Sequence, residues 1–222
     1  MLLILQGNAV ADEHWRVYKT DADISMQQRH LQQGRKKLLQ VKIQLDYQGS
    51  VSAFLHLLND TNNAALWLHN VAQVKLLAKP SLTEDLVYTG FSAPWPLTER
   101  ELVSCSQWQQ RADLTLIMEV WDCADLHPEN PGKLRLRDFS ARWVLSPLPG
   151  NKVRLQYTGI ADAGGQVPRF LSDPVALSSS WKSFKALQQQ IVAAPYQHAH
   201  QGICEPQHDK NTAVCAALTE RP

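Results

Sequence analysis

Glu119 is the side chain with the most chemical promise in this chain. It stands among Leu116, Ile117, Met118 and Val120, in a run from Leu114 to Trp121 that reads as a strand. A carboxylate with apolar neighbours needs a partner, or its pKa rises until it is neutral. Arg137, Arg142 and Arg154, further along the chain, are candidates for that partner. Glu119 is therefore either a solvated residue on an outer sheet face or a polar group inside a cavity. In a cavity it could hold a hydroxyl or act as an acid–base group. A second cluster, His198, His200, Cys204, His208 and Cys215, crowds the end of the chain. These are zinc-ligand types, but their spacing matches no zinc pattern and no metal is expected. Cys204 and Cys215 would close a disulfide loop in an oxidising compartment and stay free thiols in a reducing one. Cys105 and Cys123 lie in or at the end of strand-like runs and read as small core residues. The chain has no GxSxG elbow, P-loop, GxGxxG or HExxH, the signatures of several catalytic and cofactor-binding classes. No catalytic residue and no cofactor is assigned.

The elements that must position these groups follow from hydropathy patterning. Of 222 residues, 44% are apolar and 19% charged, enough for a sizeable core in one domain. A net charge of +1 gives no electrostatic case for nucleic acid or for a polybasic membrane anchor. No apolar run is long enough to be a membrane-spanning helix. Strands are expected over His14–Thr20, Ile24–Gln33 and Lys37–Tyr47. In the last of these, Leu39, Val41, Ile43, Leu45 and Tyr47 share one face. Val51, Phe54, Leu55 and Leu58 then recur at helical spacing after Ser50, an N-cap type. Ala64–His69 reads as a second short helix. Strand-like runs follow at Val71–Leu77, Asp85–Phe91, Leu102–Gln109, Leu114–Trp121, Lys133–Leu145 and Lys152–Ala161. The last regular element, Pro174–Val192, carries Leu177, Trp181, Phe184, Leu187 and Ile191 as one apolar stripe. An antiparallel sheet that curves needs its concave apolar face covered, and only this helix is long enough to do so. Such an arrangement leaves either interior space that suits an apolar guest or a filled core, which would show the same stripes. Leu114, Leu116, Met118 and Val120 share the strand face expected to line that space, with the helix stripe opposite.

Between two of these strands lies Pro94-Trp95-Pro96-Leu97-Thr98-Glu99-Arg100-Glu101-Leu102-Val103. The prolines hold a rigid corner, and Thr98 with Glu101 has the form of a capping box that would start one helical turn. This phrase resembles the PWP-hydrophobic-Ser/Thr-x-Arg-Asp/Glu-hydrophobic-Val segment of START (StAR-related lipid-transfer) domains. Further segments are similar to that family in the same order. They are Leu57–Asp60 through Trp67, the His127–Arg135 loop, Trp143–Pro147, and Asp162-Ala163-Gly164-Gly165-Gln166-Val167-Pro168.

The resemblance implies an α+β helix-grip fold. In it a curved antiparallel β-sheet wraps a long C-terminal helix, with two short helices after the third strand. It implies a container for one lipid or other hydrophobic molecule, with no turnover, transient membrane contact and a monomeric state. Other helix-grip folds include cyclase/aromatase enzymes, which is the competing expectation; a protein-interaction module with a filled core is the third. Pro94, Trp95, Pro96, Arg100 and Glu101 would be structural, with Arg100 tying the corner to carbonyls or a carboxylate. Some sterol-handling members carry an internal acid–arginine pair on the strands flanking this motif. Those positions are Val87 and Ser106 here, which argues against sterol specificity.

The domain is expected over residues 12–193, with 194–222 as a tail or loosely docked extension. Residues 1–11 end in Ala9-Val10-Ala11, a form that fits a signal-peptidase site, although a basic n-region and most of an apolar core are missing. An export signal would place the protein in the periplasm or outside the cell; a buried or frayed segment would leave it cytoplasmic.

Overall fold

Period-two alternation in the sequence becomes one strongly extended antiparallel sheet. The computed structural model describes residues 14–34, 36–93, 95, 98–162, 168–207 and the backbone of 212–215. Three strands come first: β1 (Arg16–Asp21), β2 (Ile24–Gln33) and β3 (Lys36–Gln48). Helix α1 (Val51–Asn59) follows, then a 3₁₀ turn over Thr61–Leu66. Next come β4 (Val71–Ser81), β5 (Glu84–Phe91), β6 (Arg100–Gln110), β7 (Leu116–Asp122), β8 (Leu134–Arg135), β9 (Ser140–Leu148) and β10 (Lys152–Ala161). The long helix α2 (Arg169–Gln190) closes the domain, and β11 (Cys204–Gln207) and β12 (Thr212–Cys215) form a separate hairpin. The sheet order is β1-β2-β3-β10-β9-β7-β6-β5-β4, with β8 adding a short parallel pairing to β6. This is the expected grip: a many-stranded antiparallel sheet with one long helix near the C-terminus.

The sheet is filled at one end and hollow at the other. Along β3, Ile43, Leu45 and Tyr47 are buried in a packed core with Leu116, Leu145, Val153 and Leu155 from neighbouring strands. Helix α1 plugs this end with Val51, Phe54, Leu55 and Leu57. Its N-terminus is doubly capped. Ser50 Oγ accepts from the Ala53 amide at 3.2 Å, and the Glu205 carboxylate accepts from the Val51 and Ser52 amides at 3.2 and 2.7 Å. A carboxylate there also meets the positive end of the helix dipole.

Several expectations are corrected. Ala64–His69 is not an α-helix; the chain makes a 3₁₀ turn that ends at Leu66. Thr98 and Glu99 are not helical, and Arg100 already opens β6, so the capping box is overruled by strand pairing with β5. Lys133–Leu145 is broken into β8 and β9, with Asp138 at a positive φ of 56° between them. Leu114 stands outside the strand. It sits at φ 64° in the β6–β7 turn, where Thr115 N–H donates to Asp113 Oδ1 at 3.0 Å. Helix α2 starts five residues before Pro174, and the missing proline N–H falls in its second turn. Cys105 and Cys123 are not free thiols but a disulfide that joins β6 to the end of β7.

The segment after α2 is less loose than expected. Tyr196 OH donates to Asp60 at 2.8 Å, and Gln110 exchanges two hydrogen bonds with the Cys204 backbone. Cys204 is itself disulfide-bonded, and its register partner across the hairpin is Cys215.

Candidate functional site

The hollow end holds a cavity of about 780 Å³ between α2 and the concave sheet face. Strand register explains which residues reach it. On β6, Arg100, Leu102, Ser104, Ser106 and Trp108 alternate onto the cavity wall, while Glu101 turns the other way. Val87, Thr89 and Phe91 of β5, Met118 and Val120 of β7, and Ala141 and Trp143 of β9 continue that wall. The floor toward the packed core is aromatic. Phe184 stacks on Trp143 with ring centroids 5.4 Å apart and meets Tyr157 at 4.9 Å. Burial pushes the Tyr157 hydroxyl well above its ordinary pKa, so it stays a neutral phenol. Gly159, two residues on, leaves its Cβ space to the Tyr157 hydroxyl.

Small residues on α2 keep the space open. The apolar stripe Leu177, Trp181, Leu187 and Ile191 goes into the packed core and does not line the cavity. About a quarter turn around the helix, Ser172, Ala176, Ser179, Ser180 and Ser183 present a face of short side chains to the hollow. These side chains are too short to reach the opposite wall. Two of them brace the helix instead. Ser183 Oγ accepts from the His69 amide at 2.9 Å, and Ser179 Oγ accepts from Asn70 Nδ2 at 3.0 Å.

Of the residues expected to line a cavity, Met118, Val120 and Phe184 do so. Leu116 is in the packed core, because the filled end of the grip begins at its level on β7. Glu119 is outside altogether: it pairs with Arg142, and the two side chains are 49% and 47% exposed. It cannot serve as a cavity acid. The serine face of α2 is not legible in the sequence, because a polar stripe on an amphipathic helix ordinarily marks solvent.

The mouth is charged, and its charges are largely matched. Lys36 pairs with Asp138 at 2.6 Å and Asp162 at 2.9 Å. Asp173 on α2 takes Arg169 at 2.8 Å and His30 of β2 at 3.0 Å. Exposed Lys37 has no carboxylate among the described residues, and neither does the half-buried Arg100. Among the described residues the hydrogen-bond partner of Arg100 is the Thr98 carbonyl, at 2.5 Å. That bond holds Arg100 to the backbone two residues earlier, and Arg100 also lines the cavity. Burial without an acidic neighbour pulls its pKa below the ordinary value. Among the described residues two other polar atoms are buried without a hydrogen-bond partner, Trp67 Nε1 and Ser172 Oγ, and both residues line the same cavity.

Glu101 is structural. Its carboxylate accepts from Arg135 Nε and Nη2 at 3.0 and 2.8 Å, from the Asn130 amide at 3.1 Å and from Tyr88 OH at 3.2 Å. The Asn130 side chain donates a further, short bond. Burial alone would raise this carboxyl; the Asn130 and Arg135 donors outweigh it and hold the pKa below the ordinary range. Arg135 also donates to the carbonyls of Ala124, His127 and Pro128, so the pair locks the His127–Arg135 loop beneath the corner. Trp95, in that corner, is 93% exposed; Pro94 and Pro96 lie outside the described residues, as do Gly164 to Val167. Among the described residues, no group of three or more His, Cys, Asp or Glu side chains could hold a metal. His198 stacks on His56 of α1 with centroids 3.6 Å apart, and His200 meets the same ring at 5.0 Å; His208 lies outside the described residues.

Comparison with known proteins agrees with this geometry. The START domain profile matches residues 4–191. An uncharacterized protein of Pseudomonas aeruginosa is 24% identical over 181 residues, 82% of this chain and 88% of that protein. A fragment of the STAR-related lipid transfer protein from Xanthomonas axonopodis superimposes with a TM-score of 0.72 at 24% identity, covering 81% of this chain and 99% of that one. Human StAR-related lipid transfer protein 5 gives 0.66 at 18% identity, over 80% and 86%.

Proposed function

Because the chain belongs to the START domain family, we propose that it is a binding protein that holds one lipid or similar hydrophobic molecule in the cavity under α2 and does not turn it over. The observation that carries this is a hollow of about 780 Å³, within the range of small-molecule sites, walled by aromatic and aliphatic side chains. The lipid-transfer names of the similar structures support the same guest class. Apolar surface buried from water drives binding at about 25 cal/mol per Å². Glu119 stands outside and supplies no acid–base group to the cavity, which removes one of the candidates for an enzyme reading, the others being His or Tyr side chains in the cavity. Exchange of the guest requires α2 or the loops at the mouth to move. The exposed Trp95 and Phe170, at 93% and 75%, are suited to brief contact with a membrane during that exchange. We propose an oxidising compartment, periplasmic or secreted, which the cysteine pairing supports. The Cys105–Cys123 bridge and the bonded Cys204 would not persist in a reducing cytoplasm.

Native mass spectrometry of protein purified from its own host tests the carrier reading, with a co-purified amphiphile expected. Ser106→Phe, which puts a ring into the hollow from mid-strand, should weaken uptake of a fluorescent lipid by at least about tenfold, or 1.4 kcal/mol, while leaving the fold intact. Wild type that neither carries nor takes up any amphiphile would refute the reading.

A further inference from the structure

Among the described residues, the buried or half-buried polar groups left unmatched on the cavity wall can all donate. Arg100 opens β6 at the mouth and pairs in register with Phe91, the last residue of β5. Its guanidinium is half-buried and lines the cavity. A guanidinium carries five N–H donors and no acceptor, and one carbonyl, that of Thr98, uses one of them. Ser172, in the first turn of α2, is 5% exposed, and its hydroxyl has no hydrogen-bond partner among the described residues. The third orphan, Trp67 Nε1, is an obligate donor. By contrast, the wall's carboxylates are already engaged: Asp85 with Lys79, Asp162 with Lys36, and Asp173 with Arg169 and His30. A half-buried cation without a counter-charge is costly, and an anion that enters beside it recovers the loss. An apolar guest alone would leave all three donors unmet.

We infer that the guest is an amphiphile with an anionic, oxygen-bearing head, a carboxylate or a phosphate ester, seated at the mouth against Arg100 and the Ser172 hydroxyl, with its apolar chain directed to the Phe184–Trp143–Tyr157 floor. This rests on the carrier reading and deepens it by assigning the head-group chemistry. It also separates the two polar elements of the corner. Glu101 holds the loop, whereas Arg100, one residue earlier and on the opposite face of the strand, reads the ligand. Neither Val87 nor Ser106 adds a charge deeper in the cavity, so the head-group anchor lies at the mouth and not in the interior.

Dibromostearate and its methyl ester test the assignment, because bromine quenches the fluorescence of Trp67, Trp108 and Trp143, all of which line the cavity. The two probes share a chain and differ in the head's charge. In wild type at neutral pH the acid should bind about tenfold more tightly than the ester, the worth of one or two charge-assisted hydrogen bonds. Arg100→Gln should bring that ratio close to one, chiefly by weakening the acid. Arg100→Lys should retain part of the ratio, and Ser172→Ala should reduce it by a few-fold. Since the ratio is taken within each variant, a general loss of stability does not mimic the result. A brominated phosphatidylglycerol run beside the fatty acid tells which oxyanion is preferred; Arg100-dependent binding of either supports the inference. Equal affinity of wild type for acid and ester, or an acid preference that survives Arg100→Gln, overturns it while leaving the carrier reading standing. Quenching by none of the probes overturns both.

Discussion

Replacing Glu101 by Gln isolates what a buried charge pair contributes to this fold. The side chains of Glu101 and Arg135 are 0% and 2% exposed. Gln keeps the shape and an acceptor, so packing is preserved and the change is chiefly the loss of one negative charge opposite a buried guanidinium. Breaking a buried pair from one side costs about 3–5 kcal/mol, because the other charge stays behind unpaired. Arg135 keeps the carbonyls of Ala124, His127 and Pro128, which puts the loss at the lower end, about 3 kcal/mol. For a domain of this size that is a fall in Tm of about 6–12 °C, read by circular dichroism. Glu119→Gln is the internal control: the same residue change in an exposed pair should cost at most about 1 kcal/mol. The effect also has a pH signature. Glu101 is held below its ordinary pKa in the fold. Its contribution is therefore complete above the unfolded value of about 4.3 and is lost as pH falls through the lower folded value. The acid limb of the Tm–pH curve should be flatter in Glu101→Gln than in wild type. Equal costs for the two substitutions, or a Glu101→Gln loss below about 1 kcal/mol, would refute the argument that burial makes this pair structural.

Phe184→Asp places a carboxylate between the Trp143 and Tyr157 rings; we expect a loss of at least about 3 kcal/mol and no lipid uptake, and a stable variant that binds normally would contradict the assigned floor of the cavity. Cys105→Ser with Cys123→Ser opens a loop of sequence separation 18 and should cost about 3 kcal/mol; thiol titration of unfolded native protein should find those two cysteines blocked, and free thiols there would refute both the bridge and the compartment. His56 and His200 are both pulled below their ordinary pKa, chiefly by burial and then by nearby charges including His198. Neutral rings are thus favoured in the fold, the unfolded chain binds more protons, and stability falls as pH drops below about 6.5; His56→Gln should lessen the fall in Tm between about pH 7.5 and 5.5, and an unchanged fall would show that the ring stack against the C-terminal segment does not titrate.

What the amino-acid order determined by itself is the frame. Alternation in Lys36–Gln48 and in the runs after Asp85 sets which strand faces turn inward, because strand side chains alternate by geometry alone. The stripe Leu177, Trp181, Phe184, Leu187 and Ile191 identifies the covering helix for the same kind of reason. The corner phrase with its Arg100 and Glu101 points to the family before any coordinates are seen. What only the tertiary structure decided is where that frame is left empty. Met118 and Leu116 are alike in type and face, yet one lines the cavity and the other is core, because the filled end begins at a level set by α1 packing across the sheet. The serines of α2 look solvent-facing in sequence and line the hollow in space. Glu119 and Glu101 are both strand glutamates, and their opposite fates follow from strand register, which pairs one with Arg142 in water and buries the other against Arg135. The Cys105–Cys123 bridge is of the same kind. Register across the β6–β7 hairpin brings together two residues that local pattern treats as unrelated, since spacing along a chain does not report distance between strands.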